Sequence, residues 1–295
     1  MFVYRDVPRY FEYTSAAVPV IDELQPLAIS PENPGDSIIT PNLFARYFTF
    51  NKKSDTLDDN LSEATSHEYY VIQGSGKTII KNKGRPIVIT WNKGDVFTIP
   101  FTSDRVIHVA FEDKTMFFTV DDGPLIKFLN CKPKEYRFLP CHFKNDDMLK
   151  QIDKFNKQEG ADKRNRNGIL LSTKQMTSEK LNTITHTMWS LMNSIGPKTV
   201  QNPHRHNSIA IDLCTDVDEE ASNEGKVYTL MGETLDENNQ IINPTKIVWK
   251  KNCTFTTPPG WWHSHHNESD KPAWVFPVQD AGLHTYMRTL NIQFS

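Results

Sequence analysis

Ile89-Thr-Trp-Asn-Lys-Gly-Asp-Val-Phe-Thr-Ile-Pro100 can be laid over Ile247-Val-Trp-Lys-Lys-Asn-Cys-Thr-Phe-Thr-Thr-Pro258 without a gap, at an offset of 158 positions. Ile89/Ile247, Trp91/Trp249, Lys93/Lys251, Phe97/Phe255, Thr98/Thr256 and Pro100/Pro258 are identical. The offset continues through Phe118/Phe276, Val120/Val278, Asp122/Asp280 and Leu125/Leu283. Composition alone supplies far fewer coincidences over such a window. A repeat of this length marks one structural unit used twice.

The unit is β-rich. Short runs of β-branched and aromatic residues, such as Tyr69-Tyr-Val-Ile, Thr115-Met-Phe-Phe-Thr-Val and Lys226-Val-Tyr-Thr-Leu, alternate with Gly, Pro, Asn and Asp. One segment has a clear helical period. In Asn145–Asn156 the apolar residues Met148, Leu149, Ile152 and Phe155 recur at helical spacing, with Asn145 or Asp146 as the cap. Polar Lys157–Asn167 follows and ends at Gly168, as a linker would. The division expected is a β-unit over residues 1–144, helix and linker over 145–168, and a second β-unit over 169–295. Pro19–Pro41 carries five prolines and is expected to be extended, lying over a surface rather than within a sheet.

The 295 residues suit two domains. Lys+Arg number 33 against 36 Asp+Glu, for a formal net charge of −3, and there is no basic tract for nucleic acid. No apolar run approaches the roughly 20 residues of a membrane span, and Met1-Phe-Val-Tyr-Arg-Asp lacks the pattern of a signal peptide. A cytoplasmic location is expected. Cys131, Cys141, Cys214 and Cys253 form no Cys-x-x-Cys pair, so they read as reduced thiols rather than a zinc site. The Asn-x-Ser/Thr triplets at Asn60, Asn252 and Asn267 then carry no glycan.

Chemistry concentrates in two short stretches of the second unit. In His204-Arg-His206, residues i and i+2 of a strand share a face, so two imidazoles can reach one metal ion. In Pro258-Pro-Gly-Trp-Trp-His263-Ser-His-His-Asn267, a Pro-Gly turn delivers His263 to the start of another strand. Together they make a three-nitrogen face with open coordination positions. His-x-His followed by Pro-x-Gly-x-x-His-x-x-x-Asn resembles the two-part signature of the cupin superfamily. The resemblance implies an all-β chain of two jelly-roll barrels, a bicupin, joined by the short helical linker. Pro203-His-Arg-His206 and Trp262-His-Ser-His-His-Asn-Glu-Ser269 are similar to the gentisate, salicylate and hydroxynaphthoate dioxygenases, which open aromatic rings with Fe(II) and dioxygen. Many cupins add a Glu where this chain has Ala210; that dioxygenase group also lacks it.

The resemblance implies metal ligands His204, His206 and His263, and a substrate-contacting, catalytic role for His265. Asn267 is expected to orient the loop, and Trp262 to wall the pocket. It implies Fe(II), dioxygen, a small aromatic or enolic substrate, and a homodimer or homotetramer. The pattern also departs from that group. Their iron lies in the first barrel, whereas here the offset sets Arg105 against His263 and His108 against His266. His67 and His108 stand without a third histidine, which makes the first barrel a scaffold or dimerisation module. Where the group has an Arg, this chain has Asp212, which would repel a substrate carboxylate. Gln279, His284 and Arg288 are the alternative holders of an anionic group, and Asp280, repeated by Asp122, reads as structural. Two further readings stay open: a non-redox isomerase or lyase using Zn, Ni or Mn as Lewis acid, and a non-catalytic bicupin that binds a small ligand.

Overall fold

The computed structural model describes residues 28–31, 37–81, 85–159 and 167–295. Every strand pair within them is antiparallel. The first barrel has a six-stranded sheet in the order Cys141–Phe143, Val96–Pro100, Ser66–Gln73, Thr115–Asp121, Phe44–Phe50, Ser37–Ile39. A four-stranded sheet of Thr56–Asp59, Val106–Ala110, Ser75–Ile80 and Ile87–Asn92 closes it. The second barrel repeats the plan. Its six-stranded sheet runs Ala28–Ile29, Thr254–Thr257, Ala210–Asp216, Ala273–Gln279, Trp189–Ile195, Asn167–Leu171. Its second sheet runs Thr245–Val248, Val227–Gly232, Trp262–Asn267, Thr199–His206, Ile292–Phe294.

Three apolar cores result. One fills the first barrel around Trp91, Phe97 and Phe117, and one fills the second around Trp249, Phe255 and Val275. The third lies between the barrels, where the outer faces of the two six-stranded sheets meet through Tyr47, Tyr70, Phe118, Ile211, Leu213 and Phe276. Strands shared between an interior and this interface are buried on both sides, as the unbroken burial of His67–Ile72 shows. Each large apolar side chain so enclosed contributes on the order of 2–3 kcal/mol of transfer free energy.

The expected helix over Asn145–Asn156 is present, with Met148 and Ile152 facing the inter-barrel core. Its cap differs from expectation. Lys144 is the capping position and neither Asn145 nor Asp146 caps; instead Asp95 accepts from the Asn145 N–H at 2.8 Å. Short helices follow the repeat as well: Gly123–Phe128 and Ala281–Met287 start after Asp122 and Asp280. The aspartates do matching work. Asp122 accepts from the Ser66 N–H and Asp280 from the Ile209 N–H, pinning the start of equivalent strands.

The proline-rich stretch needs correction. Residues 19–27 and 32–36 of it lie outside the described residues, as do 160–166 of the linker. Ser37–Ile39 pairs with Phe44–Phe50 as an edge strand of the first barrel, while Ala28–Ile29 pairs with Thr254–Phe255 in the second. Edge positions tolerate nearby prolines, and pairing there satisfies backbone groups that a surface strap would leave to water. Part of residues 1–144 therefore belongs to the second barrel's sheet.

Glu68 lies at the barrel interface, 1% exposed, with Ser190 Oγ donating to it at 2.9 Å. Burial pushes its carboxyl up to about 8. The folded chain therefore holds a proton that the unfolded chain loses near pH 4.5, so stability falls as pH rises from there through about 8. Glu68→Gln is expected to raise the Tm by several degrees at pH 8.5 and leave it nearly unchanged at pH 4, read by thermal denaturation at both pH values.

Candidate metal centre

The strands Thr199–His206 and Trp262–Asn267 are neighbours, and His204 stands directly opposite His263. A register shift between Gln201 and His204, at Pro203, re-aims the strand's end. Beyond it, alternation sends His204 and His206 inward and Arg205 outward, where its guanidinium covers the Trp262 ring at 4.8 Å. The Pro-Gly turn is tied to the same strand. Gly260 takes φ +77°, which favours glycine, and its N–H donates to the His206 carbonyl at 2.7 Å.

Four buried imidazoles line one cavity of about 40 Å³: His204, His206, His263 and His265. Ring centroids are 4.0 Å apart for His204–His263, 4.8 Å for His206–His263 and 5.6 Å for His263–His265. The tightest trio of ligand atoms, all within 4.8 Å of one another, is His204, His263 and His265. His206, expected in the trio, lies outside it, its ring 4.8 Å from that of His263 and 6.5 Å from that of His204.

Hydrogen bonding divides the four rings differently. Nδ1 of His204 faces the Asn202 carbonyl at 3.1 Å, Nδ1 of His206 the Ser208 carbonyl at 2.8 Å, and Nδ1 of His263 the Trp261 carbonyl at 3.1 Å. A carbonyl only accepts, so each of these rings carries its proton on Nδ1 and its lone pair on Nε2. Burial, reinforced by His204 and His206, holds His263 well below its ordinary value and so neutral. His265 is different. Its Nδ1 meets the Thr229 hydroxyl at 2.8 Å, and that oxygen already accepts the Trp249 indole N–H at 2.8 Å. A hydroxyl proton directed to His265 Nδ1 would place the ring proton of His265 on Nε2.

Of the other expected residues, Asp212 and Gln279 line the cavity. Thr257 Oγ1 donates to Asp212 at 2.7 Å, and burial pushes this carboxyl up to about 7. Gln279 accepts from Ser208 Oγ at 2.8 Å, and Ser208 in turn touches His206 Nδ1 at 3.1 Å. Asn267 ties its loop: its amide donates to the carbonyls of Ile195, Gly196 and Lys271. Trp262 does not wall the cavity, because the alternation that turns His263 inward turns its neighbour outward. Arg288 is not brought to the site. It ends the helix Ala281–Met287 in left-handed conformation, exposed, with Nη1 on the Thr285 carbonyl. His284 contacts Asn207 and Thr289 instead. Sequence reasoning missed Thr229, Gln201, Asn193 and Ile292. The repeated Trp91/Trp249 pair was the available signal for Thr229.

No protein-family model matches the chain, and no curated protein matches it in sequence. Solved structures do match. The salicylate 1,2-dioxygenase of Pseudoaminobacter salicylatoxidans, as a single-residue mutant in complex with gentisate, superposes with TM-score 0.67 over 92% of this chain and 78% of its own, at 12% identity. Another structure of that dioxygenase gives TM-score 0.64 over 95% and 82%, at 13% identity. The fold is that of a bicupin. Vicilin from Corylus avellana superposes more loosely, with TM-score 0.50 over 81% of this chain and 74% of its own, at 10% identity. No helix among the described residues is long and apolar enough to cross a membrane.

Within this two-barrel fold, the first barrel shows what distinguishes the histidine-rich second one. Leu57 opposes His108 and Asp59 opposes Val106, just as Gln201 opposes His265 and His204 opposes His263. The counterpart of His108 is therefore His265, not His266, and that of His263 is Val106, not Arg105. The 158 offset slips by one residue in the loop before these strands and is restored after them. The relay is repeated intact: Trp91 Nε1 donates to Thr78 Oγ1 at 2.9 Å, and Thr78 Oγ1 meets His108 Nδ1 at 2.8 Å. There His108 Nε2 points at the Asp59 carboxylate, 3.4 Å away, as an N–H donor must. In ¹⁵N-detected NMR of metal-free protein, His265 and His108 are expected as Nε2–H tautomers, and His204, His206 and His263 as Nδ1–H tautomers.

Proposed function

We propose that the second barrel is a mononuclear metal site held by Nε2 of His204, His206 and His263, and that the chain is a dioxygenase-like enzyme. The observation that carries this reading is the cluster of four buried imidazoles around one cavity. In this reading three rings, with Nδ1 on backbone carbonyls, supply Nε2 to the metal, while the fourth, His265, held by the Thr229 hydroxyl, supplies an N–H. Iron(II), the metal of this reading, would supply open coordination positions and the redox capacity that dioxygen chemistry needs; three imidazoles also accept Zn, Ni or Mn.

The chain's own residues do the rest. His265 donates to an oxygen of the substrate, and Thr229 with Trp249 keeps it in the donating form. Asp212, neutral below about pH 7, can pass a proton at the same cavity wall. Leu191, Pro277, Val275 and Ile292 exclude water. The cavity is small, about 40 Å³. A small enolic substrate suits it better than an aromatic acid. An aromatic substrate would require the strand Ile292–Phe294, whose Phe294 stacks on His204, to yield.

His206→Ala and His263→Ala are expected to lose iron in metal analysis. His265→Ala and Thr229→Val are expected to keep iron while dioxygen uptake with an enolic substrate panel falls by about 10²-fold or more. Loss of metal in His265→Ala with retention in His206→Ala would overturn the ligand assignment. Iron-loaded protein that consumes no dioxygen across enols and hydroxylated aromatics would overturn the activity, and full Zn or Ni occupancy in unsupplemented protein would move the reading to the non-redox class.

A further inference from the structure

The first barrel holds a far larger cavity than the second, about 720 Å³ against about 40 Å³. It opens at the equivalent end, because its polar residues occupy equivalent places. Asp59 stands where His204 does. His67 and Asp121 oppose one another across paired strands, as Ala210 and Gln279 do in the second barrel. The described residues of the first barrel bring no trio of His, Cys, Asp or Glu close enough to hold a metal ion.

Its polar groups are nevertheless organised. Arg46 is held between the rings of Phe44 and Phe48, at 5.0 and 4.7 Å, and its Nη2 lies 3.7 Å from Asp59. Its Nε is buried without a hydrogen-bond partner. His67, 5% exposed, lines the cavity, and its Nε2 likewise has no partner. Buried groups left in this condition cost free energy unless a ligand completes them. Asp59 and Asp121 supply acceptors on the same wall, with burial pushing the Asp121 carboxyl up.

Two features define the ligand. Arg46, Lys127 and Lys132 stand against Asp58, Asp59, Glu63 and Asp121 along the lining, so acids and bases are mixed and no single sign of charge selects an anion or a cation. Donors and acceptors also alternate over short distances, and a hydroxyl is the group that accepts from Arg46 and donates to a carboxylate at once. Leu57 and Ile126 provide an apolar flank for a ring face. We propose that the first barrel is a metal-free binding site for a neutral, hydroxyl-rich small molecule of monosaccharide or cyclitol type, recognised by Arg46, Asp59, His67 and Asp121. Such a site falls within the size range of small-ligand pockets, and it stands whether or not the second barrel is a dioxygenase centre.

The test is isothermal titration of the full chain with a panel of neutral monosaccharides and cyclitols, myo-inositol included, beside gentisate and a primary alkylamine. Binding of at least one neutral polyol is expected. It should weaken about tenfold or more in His67→Gln and Asp121→Asn and persist in His263→Ala. Wild-type metal content and Tm in the first two variants would show that they fold, and Arg46→Gln provides a third, less buried probe. Binding of gentisate or the amine with no polyol binding would overturn the ligand class. Unchanged polyol affinity in all three first-barrel variants, or its loss in His263→Ala, would overturn the location. No binding of any panel member at high millimolar concentration would overturn the proposal.

Discussion

The packing of the two six-stranded sheets against each other constrains everything else in the chain. A strand covered on both faces has no solvent side, so each residue belongs either to a barrel interior or to the inter-barrel core. A slip of one residue would exchange the two sets, driving Glu68 and Tyr70 into a barrel and His67 and Tyr69 into the interface. That penalty fixes the register of Ser66–Gln73 and Ala210–Asp216, and through them the position of every inward-facing polar group at the barrel mouths. The outer sheets, with the histidine strands, are then registered on this frame.

Within the frame, the two barrels show how few changes separate a cavity lined by four histidines from one without such a cluster among the described residues. Both keep the buried Trp–Thr–His relay, which holds the ring by uncharged groups alone. Val106 in place of His263 removes an imidazole, and Asp59 in place of His204 gives the retained His108 a carboxylate to face, 3.4 Å away. Tyr69 donates to the same carboxylate at 2.7 Å, so Asp59 is committed to structure on one side while facing the cavity on the other. The relay thus belongs to the shared architecture, and the chemistry of each barrel is set by the residues around it.

Much of this was legible from residue types alone. The repeat announced two copies of one unit, strand alternation placed His204 and His206 on one face, and the Pro-Gly turn announced His263. Asp280 could be read as structural because Asp122 repeats it, and both pin strand starts. What escaped had physical causes. Compensating loop lengths hid the one-residue slip that pairs His108 with His265. Trp262 was expected at the pocket because aromatic rings suit such walls, yet its neighbour His263 had already claimed the inward face. Arg288 depended on where a helix ended, which local sequence specifies poorly. The histidines rest on carbonyls two residues away, whose orientation residue types do not give, and on a hydroxyl brought in from a neighbouring strand, and cavity size depends on packing that no motif encodes.

The short strand Ala28–Ile29 closes one edge of the second barrel, yet it precedes the whole of the first. Its partners Thr254 and Phe255 come from the far end of the chain. During vectorial synthesis this dipeptide must therefore wait, unpaired, while an entire barrel and most of another are made. Contacts of such sequence separation are formed late and at a high loop-closure cost. The edge that Ala28–Ile29 finally covers is accordingly the one on which a maturing chain is most open to pairing with a neighbour instead of with itself.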